Sequence, residues 1–308
     1  MRFTVITPCL NRENFIAEAI ESVLAQQYDD IEHWIIDGGS TDKTLDILGR
    51  YSRLRVRSEP DRGVYDAINK GIRLATGEII VLLNSDDILV PGALALSADV
   101  FRNAVGTMMI SAGCQIFRNA PDRKEIEMYR YDNPRRYALS LRNVTVGTPN
   151  INARFFRRQV FDKIGEFDLA YPISADRDFL IRAALRRLPD APVAKVLYRY
   201  RWHTGSLTMN SGNTTLLAAM NENETIARFY CSFSGLSAAD LRNLHTLGKR
   251  SAATSLMILA LSGAWGEVCR NLVAKIVSDP SFIFVLFRSG TAAIFRRLRI
   301  WVMLQRNR

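Results

Sequence analysis

The chain has 308 residues, of which 48% are hydrophobic and 23% charged, a composition typical of folded globular proteins that excludes a disordered or collagen-like chain. Its four cysteines lie far apart without a C-x-x-C pair, which excludes a zinc ribbon and a disulfide framework and favours a reducing cytosol. The net charge of +10 is compatible with binding to nucleic acid, with contact to an anionic membrane surface or with solubility alone, and composition leaves these alternatives open.

The first hundred residues alternate between short apolar runs and amphipathic stretches. Strands are predicted at residues 3–7, 33–36, 54–56 and 79–83, and helices at 14–25, 43–51 and 64–75. Ser40 or Asp42 is suited to cap the second of these helices. The last strand is an uninterrupted apolar run, as expected for a strand buried on both faces of a parallel sheet. The pattern predicts an α/β domain, in which ligands bind beyond the carboxyl ends of the strands.

The remainder of the chain is predicted to be mixed at first and then helical. Residues 106–146 are rich in Arg, Tyr and Asn and suggest strands and loops along one side of a site. Further elements are predicted as helices at 154–164 and 175–187, a strand at 193–201, and helix from residue 214 onward.

The C-terminal region lacks a run of about 18 apolar residues, so no transmembrane helix is predicted. Residues 266–308 carry eight basic and two acidic side chains, and two apolar patches at 282–287 and 300–304 alternate with arginines. An apolar face beside a cationic face is typical of a helix that lies on a membrane surface. A helix packed on the rest of the protein, with a solvated arginine face, fits equally well, and both interpretations stay open.

Acidic residues follow structural breaks at three places. Asp37 follows the second predicted strand, and Asp86 and Asp87 follow the fourth. Asp176 and Asp178 open a predicted helix. One carboxylate at a strand end is often only a turn or cap residue. Together, however, these acids predict a site for a hard cation and a polar ligand, because Mg²⁺ and Mn²⁺ prefer carboxylate and phosphate oxygens.

Several other site chemistries are excluded by missing motifs. Residues 8–11 (PCLN) stand where a dinucleotide-binding fold would have G-x-G-x-x-G, and no P-loop motif is present. Three histidines without an H-E-x-x-H motif exclude a histidine-rich metal site, and no G-x-S-x-G elbow supports Ser-His-Asp hydrolysis.

A series of short motifs spans the first two thirds of the chain. They are VITP at 5–8 followed by Asn11 and Arg12, IDGGSTD at 36–42, EPDRGVYD at 59–66 with AINKG at 67–71, LNSDD at 83–87, GEFD at 165–168 and ADRDF at 175–179. In this order the motifs resemble those of family 2 glycosyltransferases with the GT-A fold. The resemblance covers residues 1–205 and implies an α/β fold with a mostly parallel central sheet flanked by helices, followed by a C-terminal helical extension.

The same resemblance implies a division of the chain. Residues 1–210 would form the glycosyltransferase domain, with a nucleotide-sugar-binding half at 1–105 and an acceptor-binding half at 106–210. Residues 211–308 would form a basic, amphipathic helical region.

Donor-side roles also follow from the resemblance. Thr7 and Pro8 would line the nucleotide pocket through their backbone, and Asp37 would accept a hydrogen bond from the base, typically the uracil N3–H of a UDP-sugar. Asp86 would bind the divalent metal, Mg²⁺ or Mn²⁺, that bridges the two phosphates, and Asp87 would hold the donor sugar or support the metal. The other donor-side residues implied by the resemblance are Asn11, Arg12, Gly38, Ser40, Asp66, Asn69, Asn84 and Ser85.

On the acceptor side, the resemblance implies that Asp176 is the general base. An unperturbed Asp has a pKa of about 3.9, so Asp176 is ionised at neutral pH unless it is buried. Attack by the acceptor hydroxyl in one displacement would invert the anomeric centre. His203 would reach the metal or the diphosphate, although a surface-loop histidine is an equally good interpretation.

The sequence departs from the family's common pattern in three places. Asn84 occupies the first position of the D-x-D motif, so the metal site would rest mainly on Asp86. Ala175 stands where many members have Glu before the base. The Q-x-x-R-W motif of processive synthases is incomplete, which together with the missing membrane spans favours addition of a single sugar.

We therefore predict a metal-dependent, inverting glycosyltransferase that transfers one sugar from a nucleotide-diphosphate sugar to a glycan or lipid-linked acceptor in bacterial polysaccharide biosynthesis, with no nucleic acid partner. Pro8 breaks the first apolar run too early for a signal peptide, so we expect a cytoplasmic location. Peripheral contact of the C-terminal region with the anionic inner face of the membrane is left open. The alternative function is a catalytically inactive nucleotide-sugar or polyanion-binding module. The departures from the family pattern at Asn84 and Ala175 are compatible with this alternative.

Overall fold

A computed structural model describes residues 1–120, 124–203, 205 and 213–286. The chain forms two compact units, residues 1–209 and 210–308. The described part of the first unit contains the strands β1 (Phe3–Cys9), β2 (Ile31–Asp37), β3 (Leu54–Ser58), β4 (Ile79–Leu82), β5 (Ile88–Leu89), β6 (Met109–Asn119), β7 (Glu125–Tyr131), β8 (Arg154–Arg157) and β9 (Asp190–Arg201). Its helices are α1 (Ile16–Leu24), α2 (Thr44–Leu48), α3 (Val64–Leu74), α4 (Ala93–Asn103), α5 (Pro134–Tyr137), α6 (Leu141–Val146), α7 (Gln159–Ile164) and α8 (Ala175–Leu185), with a 3₁₀ turn at Ile151–Ala153.

The strands form one sheet in the order β3-β2-β1-β4-β8-β6-β9-β5, and β7 pairs with residues 114–119 of β6, beyond the residues 109–111 that pair with β8. The first four strands in this order are parallel. Beyond them the sheet is mixed, because β8 is antiparallel to both β4 and β6 while β9 is parallel to β6. The predicted α/β architecture is confirmed, and its parallel part lies within residues 1–105, for which nucleotide-sugar binding stays a prediction.

Apolar side chains cover both faces of the parallel strands. On one face, Phe3 of β1 and Val81 of β4 pack with Phe101 of α4 and Phe155 of β8, and all four are at most 2% exposed. On the same face, α1 and α2 pack on Ile35 of β2 in a second apolar cluster. On the opposite face, α3 packs on β1 and β2, where Gly71 lies against Ile6 and Ile36. All four residues of β4 are buried, as predicted from its apolar run. Helices on both faces leave only the edges and the strand ends of this sheet open to ligands.

The predicted helix at 154–164 is wrong in its first third. Arg154–Arg157 form β8, and the helix α7 begins only at Gln159. Phe155 and Phe156 are both fully buried because β8 lies between β4 and β6 in the middle of the sheet. Two successive side chains can both reach apolar surroundings in a strand that is covered on both faces, and tertiary packing here overrides the helical pattern.

The second unit is helical in its described residues, as predicted. Its helices are α9 (Asn213–Cys231), α10 (Ala238–Leu261) and α11 (Trp265–Ser278). Ser237 caps α10 by accepting a hydrogen bond from the Asp240 N–H at 3.1 Å. Among the described residues, no helix has the length and apolarity needed to cross a membrane. The apolar patch predicted at 300–304 lies outside the described residues.

Candidate active site

The carboxyl ends of three parallel strands meet around Asp37. Cys9, Asp37 and Ser58 are the last residues of β1, β2 and β3 and lie level in the strand register. The buried Asp37 carboxylate accepts hydrogen bonds from the backbone N–H groups of Gly39 and Ser40 at 3.1 and 3.0 Å. It also accepts the hydroxyl hydrogens of Ser40 at 2.5 Å and Ser58 at 2.6 Å. Asp37 therefore fixes the loop that follows β2.

These hydrogen bonds decide the ionisation of Asp37. Burial by itself raises the pKa, but the bonds from Ser40, Ser58 and Gly39 outweigh burial and hold the pKa of Asp37 below its usual value. With the Cys9 thiol, which donates to Oδ1 at 3.5 Å, the carboxylate accepts five hydrogen bonds, so a nucleotide base would have to displace one of these donors to bind it. The role of Asp37 toward the base stays a prediction.

The loop after β1 is tied to the loop after β2. Asn11 has a left-handed backbone conformation, with φ 53°, in which Asn is better tolerated than most residues. Its N–H donates to Ser40 Oγ at 2.8 Å, and its side-chain Oδ1 accepts the N–H of Thr41 at 2.8 Å. Gly38 lies in the same loop, where an added Cβ would be 2.5 Å from Asp61 Oδ2. The two donor-side motifs at 5–12 and 36–42 thus form one continuous surface.

Asp87 lies beneath the loop that follows β4 and is only 1% exposed. Its carboxylate accepts the Tyr198 hydroxyl at 2.5 Å, the Asn84 side-chain amide at 3.0 Å and the Arg201 N–H at 2.8 Å. Burial and the neighbouring Asp86 raise the pKa of Asp87. Both oxygens are engaged inside the protein, so Asp87 supports the loop. Its predicted role, to hold the donor sugar or to support the metal, stays a prediction.

Asp86 points the other way and is partly exposed. Its Oδ2 lies 2.9 Å from Nε2 of His203 and 4.0 Å from Nε of Arg12. The N–H of Gly205 donates to His203 Nδ1 at 3.1 Å, so Nε2 is the ring atom that faces Asp86. Phe15 stacks against the His203 ring, with centroids 4.5 Å apart. The structure therefore joins two residues that are 117 positions apart and that the sequence had connected only through the family resemblance.

The Asp86–His203 pair fits a divalent cation of the Mg²⁺ or Mn²⁺ type. It offers one carboxylate oxygen and one imidazole nitrogen at a partly exposed position, and Mn²⁺ accepts both kinds of ligand. Because Nδ1 accepts the Gly205 N–H, the neutral ring carries its hydrogen on Nε2, and binding of a metal through Nε2 requires that hydrogen to move to Nδ1 and the Gly205 bond to break. No group of three or more acidic, histidine or cysteine side chains with the arrangement of a metal site occurs in the part of the chain that the structure describes. Two protein ligands suit a metal that takes its other ligands from phosphate and water, as Mg²⁺ commonly does.

Asp66 and Asn69 lie on α3 and differ in what they contact. Asp66 accepts the N–H of Arg62 at 3.0 Å and lies 3.7 Å from Lys70 Nζ. The Asn69 side chain instead donates to the Phe167 carbonyl at 2.8 Å and accepts the Phe167 N–H at 3.0 Å. The polar atoms of Asn69 are thus engaged by the segment before α8, and the predicted donor-side role of Asn69 stays a prediction.

Asp176 is the second residue of α8, at the end of that segment. Its Oδ1 accepts the N–H of Arg177 at 2.7 Å, and the Tyr65 side chain also hydrogen-bonds to it. Burial raises the pKa of Asp176 above the usual value, against the lowering effect of Arg177 and Tyr65. The Arg177 guanidinium contacts the carbonyls of Thr145 and Gly147 at 3.3 and 3.4 Å, so the loop after α6 lies beside the predicted base.

The remaining predicted residues are buried. The Thr7 hydroxyl lies 2.9 Å from Nε2 of the buried His33, and Thr7 is fully buried, so its predicted backbone contact with a nucleotide stays a prediction. Pro8 and Ser85 are buried as well.

Sequence reasoning missed Ser58, Tyr198 and Arg201. Ser58 and Tyr198 are single polar residues in strands and carry no local signal. Arg201 was visible only as the fragment Arg201-Trp202 of an incomplete motif.

The chain is similar in sequence to known glycosyltransferases. Residues 4–165 match the family described as glycosyl transferase family 2. A PGL/p-HBAD biosynthesis glycosyltransferase of Mycobacterium bovis (strain BCG / Pasteur 1173P2) is 34% identical over 185 residues, which are 58% of this chain and 68% of the relative. Chondroitin synthase of Escherichia coli is 39% identical over 103 residues, 32% of this chain and 15% of that protein.

Two solved structures share the fold at low sequence identity. S. aureus TarS 1–349 in complex with UDP-GlcNAc has a TM-score of 0.62 at 17% identity, covering 84% of this chain and 81% of TarS 1–349. The mannosyltransferase PcManGT from Pyrobaculum calidifontis, in complex with GDP-Man and Mn²⁺, also has a TM-score of 0.62 at 17% identity, covering 99% of this chain and 84% of PcManGT. The family match, the 34% identical relative and this shared GT-A-type fold agree, and the chain belongs to glycosyl transferase family 2.

Proposed function

We propose that this protein is a metal-dependent, inverting glycosyltransferase that transfers one sugar from a nucleotide-diphosphate sugar to a glycan or lipid-linked acceptor in bacterial polysaccharide biosynthesis. A UDP-sugar is the proposed donor. The observation that carries the proposal is the Asp86–His203 pair, which lies beyond the carboxyl end of β4 with Arg12 beside it. This is the position where ligands bind in open α/β sheets.

The donor would lie along the loops after β1, β2 and β4. Asp86 and His203 would hold the divalent cation, which when bound supplies positive charge to the leaving diphosphate. Arg12 adds a guanidinium 4.0 Å from the Asp86 carboxylate and would contact the phosphates directly, since guanidinium groups match phosphate geometry. Structural relatives with UDP-GlcNAc and with GDP-Man support a nucleotide-diphosphate sugar as the class of donor.

Asp176 is the proposed general base. It would accept the proton of the acceptor hydroxyl while the hydroxyl oxygen bonds to the sugar C1 and the bond from C1 to the phosphate oxygen breaks. The electron pair of that bond leaves with the nucleotide diphosphate, so no acid is needed to protonate the leaving group. One displacement of this kind inverts the configuration at C1. A positioned base contributes about 10²- to 10⁴-fold to such a rate.

Contact with a membrane is proposed for the second unit, at the cytoplasmic face. On α11, Val268, Leu272 and Ile276 pack on the apolar cluster of this unit. Val277, on the opposite side of the helix, is 78% exposed, and Trp265, at the start of the helix, is 63% exposed. Exposed apolar side chains on a basic helical region are typical of a peripheral membrane contact, which would bring the enzyme to a lipid-linked acceptor.

Release of nucleotide diphosphate from a panel of UDP-, GDP-, dTDP- and CDP-sugars tests the proposal. We expect release from one of them, dependent on Mn²⁺ or Mg²⁺ and suppressed by chelator, and loss of release in Asp176→Asn with donor binding retained. Donor binding without release, even with crude lipid-linked acceptors, would favour the inactive binding module instead.

A further inference from the structure

Arg201 is a buried cation at the end of β9. Its side chain is only 3% exposed. The guanidinium lies over two aromatic rings, 5.7 Å from the Phe15 centroid and 4.6 Å from the Phe117 centroid. A buried guanidinium is costly unless every donor is engaged, so its position is strongly specified by its surroundings.

Four hydrogen bonds of Arg201 reach segments around the Asp86–His203 pair. Nε donates to the Asp86 carbonyl at 3.0 Å, and the backbone N–H donates to Asp87 Oδ1 at 2.8 Å. One terminal nitrogen donates to Glu18 Oε2 at 2.5 Å and the other to Asn119 Oδ1 at 2.9 Å. Arg201 thereby joins the loop after β4, helix α1 and the end of β6.

The position of His203 also depends on Arg201, through the ring of Phe15. It lies two residues after Arg201, and its ring stacks on Phe15, the aromatic side chain that Arg201 also covers. Displacement of Arg201 would therefore release both the backbone of Asp86 and the ring against which His203 rests.

We propose that Arg201 is a positioning residue that holds Asp86 and His203 in the arrangement needed to bind a divalent metal with its nucleotide. The inference rests on the proposed function, because the metal and the nucleotide enter through it. It assigns no catalytic contact to Arg201, whose guanidinium is buried away from solvent. Residues that orient metal ligands from behind commonly contribute 10- to 100-fold to metal affinity.

Arg199 provides a matched control on the same strand. Its guanidinium lies over the same Phe117 ring, at 4.2 Å, and donates to Gln115 Oε1 at 2.9 Å. It also pairs with Glu125. Arg199 therefore resembles Arg201 in residue type, aromatic contact and ion pairing, but its bonds reach β6 and β7 instead of the loop at Asp86.

The test is Mn²⁺ affinity, measured by the paramagnetic resonance signal of free Mn²⁺ in the presence of UDP and, separately, GDP. We expect Arg201→Met to weaken Mn²⁺ binding about 10- to 100-fold, and Arg201→Lys to recover part of the loss. Glu18→Gln, in a side chain that is 49% exposed, is expected to fold and to show a smaller loss. Nucleotide binding without metal should stay unchanged in all three variants.

Equal Mn²⁺ affinity in the wild type and Arg201→Met would overturn the inference, as would an equal loss in Arg199→Met. A loss of metal-free nucleotide binding that parallels the loss of Mn²⁺ would assign Arg201 to general folding instead. If the wild type binds no Mn²⁺ with either nucleotide, the proposed metal dependence itself is wrong. The positioning role inferred for Arg201 is then wrong as well.

Discussion

Asp86 and Asp87 are adjacent in sequence but have different surroundings. Asp86 faces His203 at the protein surface, whereas Asp87 is enclosed by Tyr198, Asn84 and the backbone of Arg201. The Asn84 amide hydrogen that binds Asp87 explains why this chain has Asn at the first position of its D-x-D-like motif. An amide can donate to a buried carboxylate, and a second carboxylate cannot.

Restoring that motif with Asn84→Asp is therefore expected to destabilise the protein. The change removes a donor to Asp87 and places two carboxylates about 3 Å apart, which costs about 1–3 kcal/mol of unfolding free energy. Asn84→Ala loses the same donor without adding charge and serves as the control. Urea unfolding should rank the wild type above Asn84→Ala, and Asn84→Ala above Asn84→Asp.

The pH dependence of this loss has a defined sign. Burial and Asp86 raise the folded-state pKa of Asp87, and the added carboxylate raises it further. The extra destabilisation is therefore present at neutral pH and shrinks as the pH falls through these raised pKa values. A gap between Asn84→Asp and Asn84→Ala that stays constant from neutral to acid pH would contradict this explanation.

The pKa of Asp176 is also raised, and its direction sets the expected pH dependence of catalysis. Its carboxylate is the active form of a base, and burial raises its pKa above the ordinary value of 3.8. Catalytic efficiency, kcat/KM, should fall on acidification with a midpoint above pH 3.8, measured with saturating metal. Asp176→Asn should lower the rate by about 10²- to 10⁴-fold, while Asp99→Asn, an exposed carboxylate on α4, should match the wild type. A midpoint below 3.8 or an active Asp176→Asn variant would exclude Asp176 as the base.

At the scale of elements, α3 connects residues 59–62 to the segment that carries Asp176. One face of α3 presents Tyr65, Asn69 and Arg73, spaced four residues apart. Tyr65 donates to the Ile173 carbonyl at 3.3 Å, Asn69 binds the Phe167 backbone in both directions, and Arg73 pairs with Glu166. An adjacent face carries Asp66 and Lys70 toward residues 59–62.

Asn69→Ala should consequently disturb the position of Asp176, the proposed general base, more than the binding of the donor nucleotide. Two hydrogen bonds to buried backbone groups are lost, which costs about 1–3 kcal/mol in unfolding free energy. We expect kcat to fall while the dissociation constant of the donor nucleotide, measured by calorimetry, changes little. Asn103→Ala, at the exposed end of α4, is the control. A selective loss of nucleotide affinity would instead support the donor-side role that the sequence predicts for Asn69.

The sequence predicted the elements best where a local pattern was strong. The apolar run of β4 and the periodicity of α3 required no tertiary information, and both are present within one or two residues of the predicted bounds. Strand β8 was missed because four residues of a mixed sheet carry little pattern of their own. The surroundings of Asp87 were equally hidden, because Tyr198 and Arg201 reach it from more than 100 positions away.

At the scale of the whole molecule, charge is distributed unevenly between the two units. Residues 210–308 hold twelve basic and five acidic side chains, whereas residues 1–209 hold 29 and 26. The smaller unit thus has an excess of seven cations, and it also contains the exposed apolar residues Trp265 and Val277 of α11. Both features favour an anionic lipid surface, where apolar contact and electrostatic attraction add.

Vesicle flotation tests this membrane contact. The wild type should float with vesicles that contain anionic lipid, less with zwitterionic vesicles and less at high salt. The double variant Trp265→Ser/Val277→Ser should float less, because its exposed apolar surface is reduced. Val105→Ser, at a side chain that is 96% exposed in the first unit, should float like the wild type. Equal flotation of all three proteins would exclude α11 as the contact.

The central claim is that Asp86 belongs to a metal-dependent nucleotide site, and thermal unfolding tests it most directly. The wild type would be melted with UDP, GDP, dTDP or CDP, each with Mn²⁺ and with chelator, beside Asp86→Ala and the exposed control Asp99→Ala. A nucleotide at about 100 times its Kd should add about 2.7 kcal/mol. We expect such a shift with one nucleotide only when Mn²⁺ is present, retained in Asp99→Ala and lost in Asp86→Ala. No shift with any nucleotide, or an unchanged shift in Asp86→Ala, would contradict the claim.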